Sequence, residues 1–138
     1  MRIALDAMGT DAAPSIEIEG AVAAVQRFQP EWEILLVGDQ ELIEEELARH
    51  PNVPGDRFSI IHAPERIVPG EGPAAAVRRK PRSSIVVGVK LQKEGEADAF
   101  VSAGSTGSVM AASLLFLRPL PGVDRPALID HPAHRALL

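Results

Sequence analysis

Short apolar runs rich in Ile, Val and Leu alternate along this chain with longer stretches whose apolar residues fall at helical spacing, and that change of period constrains the fold more than any other feature. Such alternation belongs to strand, helix, strand units on a parallel sheet. Strands are expected at 2–5 (RIAL), 33–38 (EILLVG), 58–63 (FSIIHA) and 97–104 (ADAFVSAG). A helix over Pro14 to Phe28 places Ile18, Ala21, Val22, Val25 and Phe28 on one face, and an acidic helix near 40–49 turns its Glu side to water. Ser83 caps a third helix through 84–95, and 105–117 (STGSVMAASLLFL) is apolar on nearly every side, so its helix is expected to be buried. The stretch 64–82 breaks the pattern for about twenty residues, a length typical of a functional loop or lid, with a short helix possible at 72–79 (GPAAAVRR). The fold class expected is α/β, a three-layer, mostly parallel sheet with helices on both faces.

With 138 residues, 46% of them apolar, the chain is long enough for one compact core. Its formal charge of -5 gives no general attraction to nucleic acid, so any anion site has to be local. Without cysteine there is no disulfide frame, no thiolate nucleophile and no cysteine-based zinc site, which suits the cytoplasm. The opening residues MRIALDAMG reach an aspartate too early for a signal peptide, and no apolar run approaches the roughly 20 residues of a membrane span.

In a parallel sheet, ligands gather outside the carboxyl ends of the strands. Three polar clusters should therefore share one rim: DAMGTDAAP (6–14), RRKPRSS (78–84) and SAGSTGS (102–108). In the last of these, Gly104 and Gly107 let backbone approach a ligand, while the coming helix offers unpaired amides and the hydroxyls of Ser105, Thr106 and Ser108. A phosphate-like anion is one reading; a tight turn that packs helix on strand is the other. Arg78, Arg79, Lys80 and Arg82 suit phosphate as forks and a point charge, or form a solvated basic turn. Asp6 either orients a ligand or serves structure, and Asp11 has the position of a helix cap. His62 is a proton donor or a satisfied structural residue, and His50, His131 and His134 lack ligand spacing, so no metal is expected.

These clusters resemble motifs of the bacterial phosphate acyltransferase (fatty acid/phospholipid synthesis protein) family, in the N-terminal half only. DAMGTDAAP (6–14) matches its DAMGGDxAP, Arg78 to Ser84 its RRKxxSS, SAGSTGS (102–108) its SAGNTGA, and Gly122 to Leu128 its GxDRPAL. The chain departs at Thr10, Ala12 and Ser105, where the family has Gly, His and Asn, and in the tail IDHPAHRALL (129–138). The resemblance implies a truncated, Rossmann-like sheet of the isocitrate/isopropylmalate dehydrogenase kind, with residues 1–128 as the N-terminal α/β part and 129–138 as a divergent tail.

The reaction it implies moves a fatty acyl group from acyl carrier protein to inorganic phosphate, giving acyl phosphate for phospholipid biosynthesis, with no cofactor, in the cytoplasm. Partners implied are acyl carrier protein, phosphate, a second copy in the full-length family and peripheral association with membrane, with no nucleic acid. Asp6, Lys80 and Ser105 are the catalytic candidates. Arg78, Arg79, Ser83, Ser84, Ser102, Gly104, Thr106 and Gly107 are those for binding phosphate or substrate. Alternatives are an inactive fragment that binds phosphate or pairs with an intact homologue, and a related phosphate acetyltransferase. A dehydrogenase is disfavoured because no G-x-G-x-x-G follows the first strand.

Overall fold

The computed structural model describes residues 1–27, 32–51 and 53–124. Phe28, the tail at 129–138 and most of the Gly122 to Leu128 motif therefore lie outside the described residues. Four parallel strands form one sheet in the order β3-β2-β1-β4, with β1 at Arg2–Asp6, β2 at Glu33–Gly38, β3 at Phe58–His62 and β4 at Ala99–Val101. Register runs Leu5 to Leu36 on one side of β1 and Leu5 to Val101 on the other.

Strand side chains alternate between faces, and β2 shows the consequence directly. Ile34 and Leu36 pack into a cluster with Ile18, Ala21, Val22 and Val25 of α1 (Ser15–Arg27) and Ile43 of α2 (Gln40–Leu47). Leu35 and Val37 face the other way, into a cluster with Ala4, Ala63 and Ala97 that takes in Val87 and Leu91 of α4 (Ser84–Lys93). Helices thus cover both faces, as the change of period predicts. Buried on both sides, β2 reads as an unbroken apolar run, whereas a half-exposed strand would alternate.

Helix starts follow local chemistry. The Asp39 carboxylate accepts from the amides of Glu41 and Leu42 to open α2, Ser83 Oγ accepts from Val86 to open α4, and Pro73 occupies the first turn of α3 (Pro73–Arg79), where its missing N–H is no loss. The acidic face of α2 is mostly in water, but Glu46 is turned inward, meeting Ser15 Oγ at 3.3 Å and Arg49 at 2.9 Å.

Two expectations need correction. The fourth strand is three residues long, because from Ser102 onward the backbone leaves the sheet for a turn. The last helix, α5 (Thr106–Phe116), is not buried: only Ser108 and Ala112 are enclosed, while Met110, Leu114, Leu115 and Leu117 are exposed. It packs on α3 and α4, in a cluster that takes in Phe100 of β4. Uniform apolarity records the absence of polar groups, and does not say which faces have neighbours.

Gly88 lets α4 lie close to β4. A Cβ there would stand 2.2 Å from Phe100 Cε2, so Gly88→Ala is expected to destabilise by about 1 to 3 kcal/mol through overpacking. Gly20→Ala, in a helix and facing open space, should stabilise by roughly 0.5 to 1 kcal/mol. Urea unfolding of both variants checks the pair.

Candidate functional site

Asp6 ends β1, one of the two inner strands, and is 1% exposed. A carboxylate so placed requires donors. One oxygen accepts from the Met8 amide at 3.0 Å and the other from Ser102 Oγ at 2.7 Å. Ser102 Oγ in turn accepts from the Gly104 amide at 3.0 Å. The loops after β1 and β4 are therefore tied through a single carboxylate.

Close backbone contact completes the tie. A Cβ on Gly9 would lie 2.8 Å from the Gly104 nitrogen, and one on Gly104 would lie 3.3 Å from Asp6 Oδ2. Both positions need glycine for space rather than for an unusual φ. Beyond Gly104 the chain enters α5, whose cap is Ser105: its Oγ accepts from the Ser108 amide at 3.3 Å and from Ser108 Oγ at 3.1 Å. The first turn, carrying Thr106 and Gly107, brings helix amides and the positive end of the dipole to this rim.

The long connection after β3 closes on itself before it reaches the rim. Glu65 and Ser83 form a parallel bridge, with the Ser84 amide donating to Glu65 O at 3.3 Å and the Arg82 amide to the Glu65 carboxylate at 2.8 Å. Between those ends the segment 66–82 makes an excursion containing α3. Two contacts bring it to the other loops: Arg66 donates from Nη2 to Thr10 O, and Pro73 packs against Gly107, where a Cβ would meet its ring at 2.9 Å.

The basic residues are placed less directly. Lys80 Nζ donates to Arg66 O at 2.7 Å and to the Glu71 carboxylate, and Arg79 approaches Glu71 at 3.7 Å. Arg78 and Arg79 are exposed at the end of α3, and no contact described here joins them to the serine turn. Lys80 is linked to the first loop through Arg66, which donates to the Thr10 carbonyl. Ser83 and Ser84 are buried, Ser83 as the cap of α4.

Of the remaining candidates, the Asp11 side chain is in solvent 4.0 Å from Arg66, and His62 Nδ1 accepts from the Gln40 amide at 3.3 Å, a structural use. Among the described residues no acidic or histidine cluster could hold a metal ion. Arg66, Glu71 and Glu17 were not singled out by sequence reasoning. Each is a charged residue in or beside a loop without characteristic spacing, and only the fold gives it a partner.

The chain belongs to the fatty acid synthesis protein family, whose profile it matches over residues 1–135. It is 48% identical over 127 residues to a phosphate acyltransferase of Salinibacter ruber, covering 92% of this chain and 38% of the relative. A phosphate acyltransferase of Desulfitobacterium hafniense is 53% identical over 129 residues, covering 94% and 37%, and one of Alkaliphilus oremlandii is 47% identical over 128, covering 93% and 37%. The chain thus spans a little over a third of the length of the curated relatives it matches. Among the described residues no helix is long and apolar enough to cross a membrane.

Lys80, with help from the Val68 amide, holds the Glu71 carboxyl below its ordinary value. Because the folded value is depressed, the contact stabilises fully above the ordinary carboxylate range and is lost as pH falls through the lowered value. Urea midpoints followed from neutral into acid should show Glu71→Gln flattening part of the acid limb. Ser102→Ala strips a donor from buried Asp6 and should cost about 1 to 3 kcal/mol by the same measurement.

Proposed function

We propose that this chain forms the phosphate-holding part of a phosphate acyltransferase, acting in fatty acid and phospholipid synthesis. The observation that carries the reading is the Asp6 to Ser102 contact, which sets two glycine-containing loops and the start of α5 side by side at the carboxyl ends of β1 and β4. Backbone amides at a helix start, entered through a glycine-containing turn, suit a small oxyanion. Relatives named phosphate acyltransferase at about half identity support the same chemistry.

In this reading an oxygen of inorganic phosphate attacks the carbonyl carbon of an acyl thioester on acyl carrier protein. The carbonyl oxygen becomes a tetrahedral oxyanion, the C–S bond then breaks, and acyl phosphate leaves together with the carrier thiol, which takes up a proton. No covalent enzyme intermediate is required, so the protein's task is to orient the two substrates and stabilise the oxyanion. Thr106 and Gly107 supply backbone amides and Ser105 a hydroxyl whose oxygen is fixed by accepting from Ser108, while Ser102, donating to Asp6 and accepting from the Gly104 amide, holds the shape of the turn. Asp6 positions Ser102. Arg78, Arg79 and Lys80 supply positive charge from α3, and Ser83 and Ser84 hold α4 and the loop end beneath them. Acyl carrier protein, a second copy of the chain and the membrane surface are the partners, and the site works in the cytoplasm without a cofactor.

A second reading rests on the span of the chain against its relatives: this part binds phosphate while acyl transfer needs the remainder. Acyl phosphate formation from acyl carrier protein thioester, measured with the 138-residue chain, separates the two. Calorimetry with inorganic phosphate should show binding that Arg79→Ala weakens about tenfold, or about 1.4 kcal/mol. Affinity unchanged in that variant removes Arg79 from the site.

A further inference from the structure

A groove of about 420 Å³ lies on the α1 face of the sheet, and the chemistry above makes no use of it. Its floor is formed by Ile3 and Leu5 of β1, one wall by Gly20 and Ala24 of α1, and the other by Val101 of β4. The upper end is Ser102 and Ala103, the turn at which the oxyanion site begins, and the lower end is Trp32. From the level of Leu5 and Val101 to that of Arg2 and Glu33 is three residues of strand, roughly 10 Å at about 3.3 Å per residue. The wall is kept clear by small residues: a Cβ on Gly20 would meet nothing within 4 Å.

Two polar atoms in this apolar lining are buried without partners, Thr10 Oγ1 and Glu17 Oε2. Glu17 is 7% exposed, and its other oxygen accepts from the Thr10 amide at 2.6 Å. An unpaired buried carboxylate oxygen is costly, and a ligand that brings a donor to it recovers the loss. An apolar body with a few placed polar groups is the general form of a small-molecule site.

We propose that the groove takes the acyl tail of the thioester substrate, with the carbonyl at the Ser102 to Gly104 turn and an amide N–H of the carrier's pantetheine arm donating to Glu17 Oε2. The assignment rests on the acyl-transfer reading above. Its continuity with that site distinguishes it from an unrelated hollow: a tail anchored along β1 leaves its reacting carbon at the rim, where phosphate is held. Glu17 also sets a preference. A free fatty acid brings a carboxylate toward another carboxylate and offers no donor, whereas the thioester arm is neutral and supplies one.

Trp32 is the chain's single tryptophan and lines the far end of the groove, so it reports occupancy. The probe is palmitoyl pantetheine thioester brominated at mid-chain, at the depth of Trp32, titrated into the 138-residue chain below its micellar concentration. Saturable quenching of Trp32 is expected, with brominated palmitate binding at least about tenfold more weakly and Glu17→Gln narrowing that gap. Gly20→Leu, whose side chain enters the open space, should abolish the quenching while leaving phosphate affinity unchanged, and Ala24→Phe provides a second obstruction should the first alter folding. Absence of quenching, or quenching that both obstructions leave intact, overturns the proposal and gives the groove to a polypeptide segment. Quenching without acyl phosphate formation keeps the groove and favours the reading in which acyl transfer needs the remainder of the longer relatives, and product formation without quenching keeps the reaction and overturns the groove.

Discussion

A buried carboxylate at the end of an inner strand organises this molecule. Asp6 sits where water is excluded, so its two oxygens have to find donors inside the protein. One donor is local, the Met8 amide, and it bends the chain immediately after β1. The other, Ser102, is distant in sequence and immediately follows the neighbouring strand. Satisfying one side chain thus joins two loops, and the missing Cβ atoms of Gly9 and Gly104 allow the join to be made backbone against backbone. The start of α5 is placed relative to β1 by the same contact.

Charge is handled locally elsewhere. In a chain with net negative charge, the basic run at the end of α3 meets Glu71 from within its own excursion, and Lys80 spends a further donor on the Arg66 carbonyl. Arg66 then extends to the Thr10 carbonyl. The excursion is consequently held to the first loop by hydrogen bonds to backbone, which fix direction without depending on side-chain identity at the receiving end. Exposed pairs such as Arg79 with Glu71 add little to stability.

Much of the scaffold was legible from residues. Period changes disclosed the four strands, most plainly β2, because a strand buried on both faces must be apolar throughout, whereas the edge strand β3 was read from a compact apolar run bounded by polar turns. Ser83 was legible as a cap because hydroxyl before an apolar run has a local function. The helix in the 64–82 connection was legible from GPAAAVRR, with proline at its first turn. The position of α5 was not, since an outer helix and an enclosed one can share a composition. At the rim, Asp6 could be named but its partner could not, because that pairing depends on the order of strands in space. Glu17 was invisible for a similar reason: on α1 it occupies an ordinary first-turn acidic position, and only the sheet beside it makes it buried.

The bridge between Glu65 and Ser83 makes the intervening segment a detachable cassette in evolutionary terms. Once both stems of a loop are clamped, lengthening it costs little, about 0.6 kcal/mol for each doubling. Lineages can then exchange or extend the stretch carrying α3, and with it the cations of Arg78 and Arg79, while the strands and α4 stay in register. Diversification of charge on this excursion is in this way separated from the folding of the sheet that supports it.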